Sequence, residues 1–492
     1  MAVSSTNPSL SPLQPPPFLY RWLVEEIETK ITNGTYKVGD RLPSIRKLHH
    51  KLALSISTVY RAYTELETMG LIEARPKSGY YVSSAILNQL QPPAFRKKPS
   101  VPRKVTLTDM VPSIVAAMND PNMLPFGSSS IASDLLPYKA IARILKSFTT
   151  QEIKTQMGYT LTEGVFELRR QLALRMLGWM DGVSAEEIVI TNGCSEALTM
   201  ALKATVKPGD AIAVESPTHF GLLQLLNELG VLIVEVPTDP QRGLLVRELE
   251  KVLTRHPIKA CVVIPNFHNP LGALMPDSAK KDMVELLNQH SIPLIEDAIY
   301  AGLHYGPHRP LPLKTFDRKD LVITCSSFSK TLVPGFRIGW ILPGQRFLKK
   351  VRSLKASINV STATLNQNVL ARYLAENSYE RHLRTLRQKL KNQTLNAARA
   401  VSTYFPSQTR LAMPQGGALL WVQLPDGIDS NTLYLKAHSR GISILPGTAC
   451  SMGNQFNNCI RIGCGFPFTE KMEKGIETLG QLTEKMLCGK PK

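Results

Sequence analysis

The stretch Ser326-Ser-Phe-Ser-Lys-Thr-Leu-Val-Pro-Gly-Phe-Arg-Ile-Gly-Trp340 carries one lysine, Lys330, with hydroxyls at the first and third positions before it, Ser329 and Ser327. A Pro-Gly turn follows, and Arg337 stands seven residues after the lysine. The apolar run Leu321–Cys325 before it reads as a buried strand, and Arg337–Leu342 ends in a second short one. A lysine in a Ser/Thr-rich turn is ordinarily a solvated surface residue. The segment acquires meaning only if the rest of a site is present upstream and downstream.

The pattern resembles the lysine segment of fold-type I aminotransferases. The resemblance implies that Lys330 forms a Schiff base with the aldehyde of pyridoxal 5'-phosphate (PLP), while Ser327 and Arg337 grip its phosphate. The residue types suit that task. An amine must be partly deprotonated to attack a carbonyl, and burial and nearby cations lower its pKa. A guanidinium fork matches a phosphate, and a short hydroxyl adds a donor. Ser327-x-x-Lys330 also matches the serine–lysine pair of β-lactamases and penicillin-binding proteins. Those require Lys-Thr-Gly and Ser-Asp-Asn partners, and neither occurs in this chain.

A chain of 492 residues with 43% hydrophobic content is long enough for two or three domains. No apolar run reaches the roughly 18 residues that cross a bilayer, and the N-terminus lacks a charged segment followed by an apolar one. Seven scattered cysteines form no CxxC pair, which fits reduced thiols and a cytoplasmic location, with no metal site. The net charge of +19 is uneven. Met1–Pro112 holds 15 Lys+Arg against 8 Asp+Glu, an excess of 7, while the remaining 380 residues carry the other 12. The N-terminal part is therefore the more basic per residue, which points to a polyanionic partner.

Residues 1–17 are Pro/Ser-rich and read as a disordered tail. Phe18, Leu19, Trp22, Leu23, Ile27 and Ile31 recur on one helical face, and Asn33-Gly34 stops it. A second helix is expected over about 44–52, and a third opens on Ser55 and closes at Gly70. Leu71–Arg75, a turn at 76–79 and Tyr80–Val82 then read as a β-hairpin. The segments RLPSIRKL, STVYRAYTELETMGLI and KSGYYV closely resemble the GntR family of bacterial regulators, a winged helix-turn-helix spanning 18–83. The resemblance implies a third helix in the major groove of operator DNA, with Arg46, Ser55, Ser57, Thr58 and Arg61 at the DNA and Lys77 and Gly79 in the wing. Hydroxyls at a helix start and cations along one face suit phosphates and base edges. Ile56 departs from the family, which usually has arginine there; a helical protein-interaction module is the bland reading. Residues 84–112 form a Pro-rich basic linker, able to span on the order of 90 Å if extended.

From residue 113 to 492 the alternation of strands and helices predicts an α/β fold with a mainly parallel sheet, and a smaller α+β C-terminal subdomain over about 370–492. Ligands in such sheets collect beyond the strand ends. Ile188–Ile190 leads into Gly193, Cys194 and Ser195, a helix start fit to cradle phosphate. Cys194 stands where relatives of the resembled family often carry serine. After Ala211–Glu215 comes His219, where that family has an aromatic stacked on the cofactor ring; Phe220 beside it is a core alternative. Asn269, in Asn-Pro-Leu-Gly272, matches the turn whose asparagine reaches the ring hydroxyl, and otherwise is only a turn. Asp297 would keep the pyridine nitrogen protonated, so that the ring acts as an electron sink, with Tyr300 on the ring hydroxyl. By itself an aspartate at a strand end is more often a helix cap or a surface residue. Arg461 matches the arginine that binds a substrate α-carboxylate, with a structural salt bridge as the alternative.

The two halves together resemble the MocR subfamily of GntR regulators. The resemblance implies a homodimer with head-to-tail domain exchange, PLP held on Lys330 as an internal aldimine, and an amine, an amino acid or PLP itself as effector. A working aminotransferase with an accessory DNA-binding head, and a degenerate domain that only dimerises, are the alternatives.

Overall fold

The computed structural model describes the chain apart from residues 1–18, 33–34, 37–39, 76–77, 84–90, 95–100, 106–109, 178–179, 181, 377–378, 454 and 490–492. It divides into two compact units, Met1–Gln89 and Leu90–Lys492.

In the first unit α1 (Leu19–Thr32), α2 (Ile45–Leu52) and α3 (Ile56–Thr68) precede a hairpin of β1 (Ile72–Arg75) and β2 (Gly79–Val82). The strands are antiparallel, with Ile72 opposite Val82. Serines start both later helices by satisfying free amides of the first turn. Ser44 accepts the Lys47 N–H at 3.2 Å, and Ser55 accepts the Thr58 N–H at 3.0 Å. The buried stripe of α1 is Leu23, Val24, Ile27 and Ile31, which joins Val59, Tyr63 and Leu66 of α3 in one core. Leu19, expected on that stripe, is 43% exposed. The stripe therefore starts about a turn later than the periodicity suggests, and Val24 takes the extra place. Phe18, Asn33, Gly34, Pro76 and Lys77 lie outside the described residues.

The second unit is built on a nine-stranded sheet. Its strands are β3 (Arg103–Lys104), then, after β4 (Leu124–Pro125) outside the sheet, β5 (Val189–Thr191), β6 (Ala211–Ser216) and β7 (Leu232–Asp239). These are followed by β8 (Gly243–Leu244), β9 (Ile258–Val263), β10 (Leu294–Asp297), β11 (Val322–Ser327) and β12 (Gly339–Leu342). In space they run β3-β7-β6-β9-β10-β11-β12-β5, with β8 paired to β7. β7, β6, β9, β10 and β11 are parallel; β12 turns back between β11 and β5. Along β6, Ile212 and Val214 join one apolar cluster while Ala211 and Ala213 join another. That two-residue alternation is what a strand covered on both faces requires.

β3 falls inside the stretch expected as linker. It pairs with β7, and the Arg103 guanidinium meets Glu235 at 2.5 Å. Proline-rich composition conceals a two-residue edge strand of this kind, so the tether is fixed to the larger unit at 103–104.

A second, four-stranded antiparallel sheet follows, ordered β13 (Arg410–Leu411), β14 (Leu419–Gln423), β17 (Cys459–Gly463), β16 (Leu445–Pro446), while β15 (Ile442–Ser443) pairs with β4. The helices Tyr379–Tyr404, Ser430–His438 and Glu470–Cys488 supply Val401, Tyr434 and Ile476 to its core. Ile114 and Phe126 join that core too, so the chain just after the linker contributes to it. Among the described residues no helix is long and apolar enough to cross a membrane.

Candidate active site and nucleic-acid interface

Beyond the ends of β5, β6, β9, β10 and β11 lies a cavity of about 320 Å³, lined among others by Cys194, Ser195, His219, Asn269, Asp297 and Lys330. From Cys194 to Lys330, residues 136 positions apart meet there because each stands at or just after the end of a sheet strand.

Lys330 donates from Nζ to the Ser129 carbonyl at 2.8 Å and to Ser129 Oγ at 3.2 Å. Burial pushes its pKa down to about 8, and Arg461 and Arg337 push the same way while Asp297 opposes them. The amine is thus primed for attack near neutral pH. Asp297 ends β10, where burial raises its carboxyl to about 6. Its Oδ1 accepts the Ile299 N–H at 3.1 Å and the Cys194 thiol at 3.4 Å. Cys194 therefore faces the acid, and its own thiol is pushed well up by burial and by that neighbour.

Tyr300 is raised to about 12, chiefly by burial, and its hydroxyl accepts from Asn269 Nδ2 at 3.4 Å. The other face of the Asn269 amide accepts from Arg461 Nη1 at 2.9 Å, and Arg461 Nη2 donates to the Gly127 carbonyl. Arg461 is fully buried and, among the described residues, pairs with no carboxylate and keeps an Nε without a partner. It stands behind Asn269 and is absent from the cavity lining. His219 is lowered to about 3, first by burial and then by the charges of Arg461 and Lys330. Its imidazole is therefore neutral, fit to lie on an aromatic ring.

The end of the cavity at Arg337 is shaped by Gly193, at φ +81°. A Cβ there would come within 2.4 Å of Arg337 Nη2, so only glycine lets the guanidinium lie against the start of the helix Cys194–Thr205. Arg337 also donates to Ser329 Oγ at 3.5 Å. Ser329, beside the lysine, lines the cavity. Ser327, expected on the phosphate, is 3% exposed and its Oγ accepts the Ser329 N–H at 3.3 Å. Ser129 escaped the sequence reading. Only the run Gly127-Ser-Ser-Ser130 hinted at it, and nothing tied that run to a lysine 201 positions away.

In the first unit Arg46, Ser55, Ser57 and Arg61 are exposed. Ser55 Oγ lies 2.8 Å from Ser57 Oγ and 2.7 Å from Thr58 Oγ1, so three hydroxyls cluster at the start of α3. The Arg61 guanidinium stacks 3.9 Å from the Tyr20 ring. Gly79 opens β2 at φ +106°.

The family described as Bacterial regulatory proteins, gntR family, matches residues 19–82, and Aminotransferase class I and II matches residues 121–479. The uncharacterized HTH-type transcriptional regulator YjiR of Escherichia coli K12 is 35% identical over 94% of this chain and 98% of its own. This chain belongs to the MocR-type regulators. A second such regulator from that organism, YdcR, is 36% identical over 95% of this chain and 99% of its own.

Among solved structures, kynurenine aminotransferase from Pyrococcus horikoshii, in complex with PMP, superposes on this MocR-type chain with a TM-score of 0.73. Identity is 27% over 78% of this chain and 96% of that one. The α-aminoadipate aminotransferase LysN of Thermus thermophilus, complexed with N-(5'-phosphopyridoxyl)-L-leucine, gives 0.70 at 25% identity, over 76% and 97%. The family and these complexes indicate PLP as cofactor. The cavity fits it: a glycine-and-arginine cradle for phosphate, a carboxylate for a ring nitrogen, and a lysine with a lowered pKa.

Proposed function

We propose that the chain is a cytoplasmic transcription regulator whose first unit reads double-stranded operator DNA and whose second unit takes PLP on Lys330 and answers to an amino compound or to PLP itself. The observation that carries this is Lys330 and Asp297 in one cavity, on a chain that begins with a GntR unit. In the proposal Gly193, the backbone N–H of Cys194, Ser195, Ser329 and Arg337 hold the phosphate while the Cys194 thiol stays on Asp297, with Ser327 supporting Ser329 from below. His219 lies on the ring, Asn269 and Tyr300 meet its hydroxyl, and Asp297 meets its nitrogen. Bound there, PLP supplies a protonated ring that draws electrons from bonds beside an amine nitrogen. Ser129 holds the lysine amine, and Arg461, linked to Asn269, is the cation for an incoming α-carboxylate.

A homodimer with exchanged reading heads belongs to the same proposal. Met157 is 83% exposed, Tyr159 90% and Leu161 65%, a run of apolar surface that a second copy would cover. Absorbance titration with PLP and then with single amino acids tests the sensor, with Lys330→Ala as control. Gel shifts with and without PLP on the chain's own promoter region test the regulator. Failure to retard that DNA under any condition counts against it.

The presence of lysine, acid and arginine together also favours a second reading, an active aminotransferase with a DNA-binding head. Sustained amino transfer to 2-oxoglutarate at roughly 1 s⁻¹ or faster would select it.

A further inference from the structure

On α3 the exposed positions are Ile56, Ser57, Tyr60, Arg61, Thr64 and Glu65, one face of the helix. Its first turn presents an unexpected side chain. Ile56 is the first residue of the helix and is 52% exposed; Tyr60, one turn on, is 57% exposed. Neither belongs to the core of this unit or to the partly buried shell around it. A lone apolar side chain on a surface needs no explanation. This pair differs in its setting. It is flanked by the hydroxyl cluster of Ser55, Ser57 and Thr58 and by Arg61, and residues 55–61 contain no acid. Over its first two turns the face is thus apolar with hydroxyls and one cation beside it, the complement of a base edge bordered by phosphates, while the one acid of the face, Glu65, lies a turn further on, at the end away from Ile56.

Among base edges in the major groove, the one apolar group is the C5-methyl of thymine. The start of the second helix of a helix-turn-helix is what reaches those edges. A β-branched side chain held at a helix start has few rotamers to lose on contact. Resting on the DNA-reading function proposed above, we propose that Ile56 reads the methyl group of a thymine in each operator half-site, with Tyr60 extending the apolar strip along the groove. Where an arginine at this position would select guanine through its O6 and N7, isoleucine selects thymine by excluding water from the methyl.

The experiment uses the full chain saturated with PLP. Duplexes recovered from a random-sequence library by repeated binding give the probe. Each thymine of that probe is then replaced singly by deoxyuridine, which removes only the methyl. The expected result is one thymine per half-site at which the replacement weakens binding about fourfold, the equivalent of one buried methyl-sized group. In Ile56→Ala the same replacement changes nothing, because the partner of the methyl is gone. This variant folds, since the side chain is outside the core. Ile56→Arg, put through the same selection, recovers guanine at that position. Uridine insensitivity at every thymine, or an undiminished uridine effect in Ile56→Ala, overturns the assignment while leaving DNA binding intact. Recovery of no duplex at all overturns the DNA-reading function itself.

Discussion

The cofactor cavity and the DNA-reading unit solve recognition in opposite ways. The cavity draws Ser129, Cys194, His219, Asn269, Asp297 and Lys330 from remote parts of the chain and leaves each of them buried or half-buried, and this desolvation moves the lysine to about 8 and the aspartate to about 6. The reading unit draws Arg46, Ser55, Ser57, Thr58 and Arg61 from sixteen consecutive positions and leaves most of them exposed. Desolvation makes the first site reactive, and one residue there decides between function and none. Exposure makes the second additive, with each contact contributing a small, salt-sensitive share.

The comparison breaks most readily at Lys330. Lys330→Ala abolishes the visible absorbance of the lysine-bound cofactor. DNA bound by the PLP-free variant keeps the wild-type salt dependence, because the reading contacts are untouched. Asp297→Asn comes next, lowering the rate of reaction with an added amino acid by about a hundredfold or more, the scale of losing one fixed electrostatic partner; stopped-flow absorbance measures it. The pH dependence of PLP capture by the PLP-free chain sharpens the electrostatic side. Neutral amine is the reactive form, and burial places its pKa at about 8. The capture rate should therefore fall about tenfold per pH unit below that value and level off above it. An amine at the ordinary 10.5 would go on climbing well past pH 8. A smaller effect is expected from Cys194→Ser. A hydroxyl is a stronger donor to Asp297 than the thiol now 3.4 Å away, so the carboxyl should titrate below about 6, read from the pH dependence of the cofactor spectrum. Smallest is Arg61→Ala, which should reduce the slope of log affinity against log salt by about 0.9 if Arg61 neutralises one phosphate.

Much of the cavity was legible because each contributor sits on a short contiguous stretch just after an apolar strand. Asp297 at the end of Leu294–Asp297 and Asn269 after Ile258–Val263 are examples. What such stretches conceal is the direction of side chains within a turn. Both serines before Lys330 were visible, yet the capping geometry at Ser327 turns that hydroxyl onto the Ser329 amide. Ser129 illustrates the other limit. Its contact with Lys330 is made by folding alone, through a loop after β4 with no periodicity of its own. In the reading unit the order of helices and hairpin was plain, but the phase of α1 was not, because Val24 and Leu19 are equally apolar and only packing chooses between them. The strand Arg103–Lys104 pairs with β7 and adds an ion pair to Glu235, partners no local pattern announces.

The measurement that bears most directly on this account is peptide mapping by mass spectrometry after borohydride reduction of the PLP-loaded chain. A pyridoxyl adduct is expected on the peptide that contains Lys330 and on no other. An adduct on Lys280 or Lys355, whose side chains are fully buried where that of Lys330 opens on the cavity, or no adduct on any peptide, would contradict that assignment.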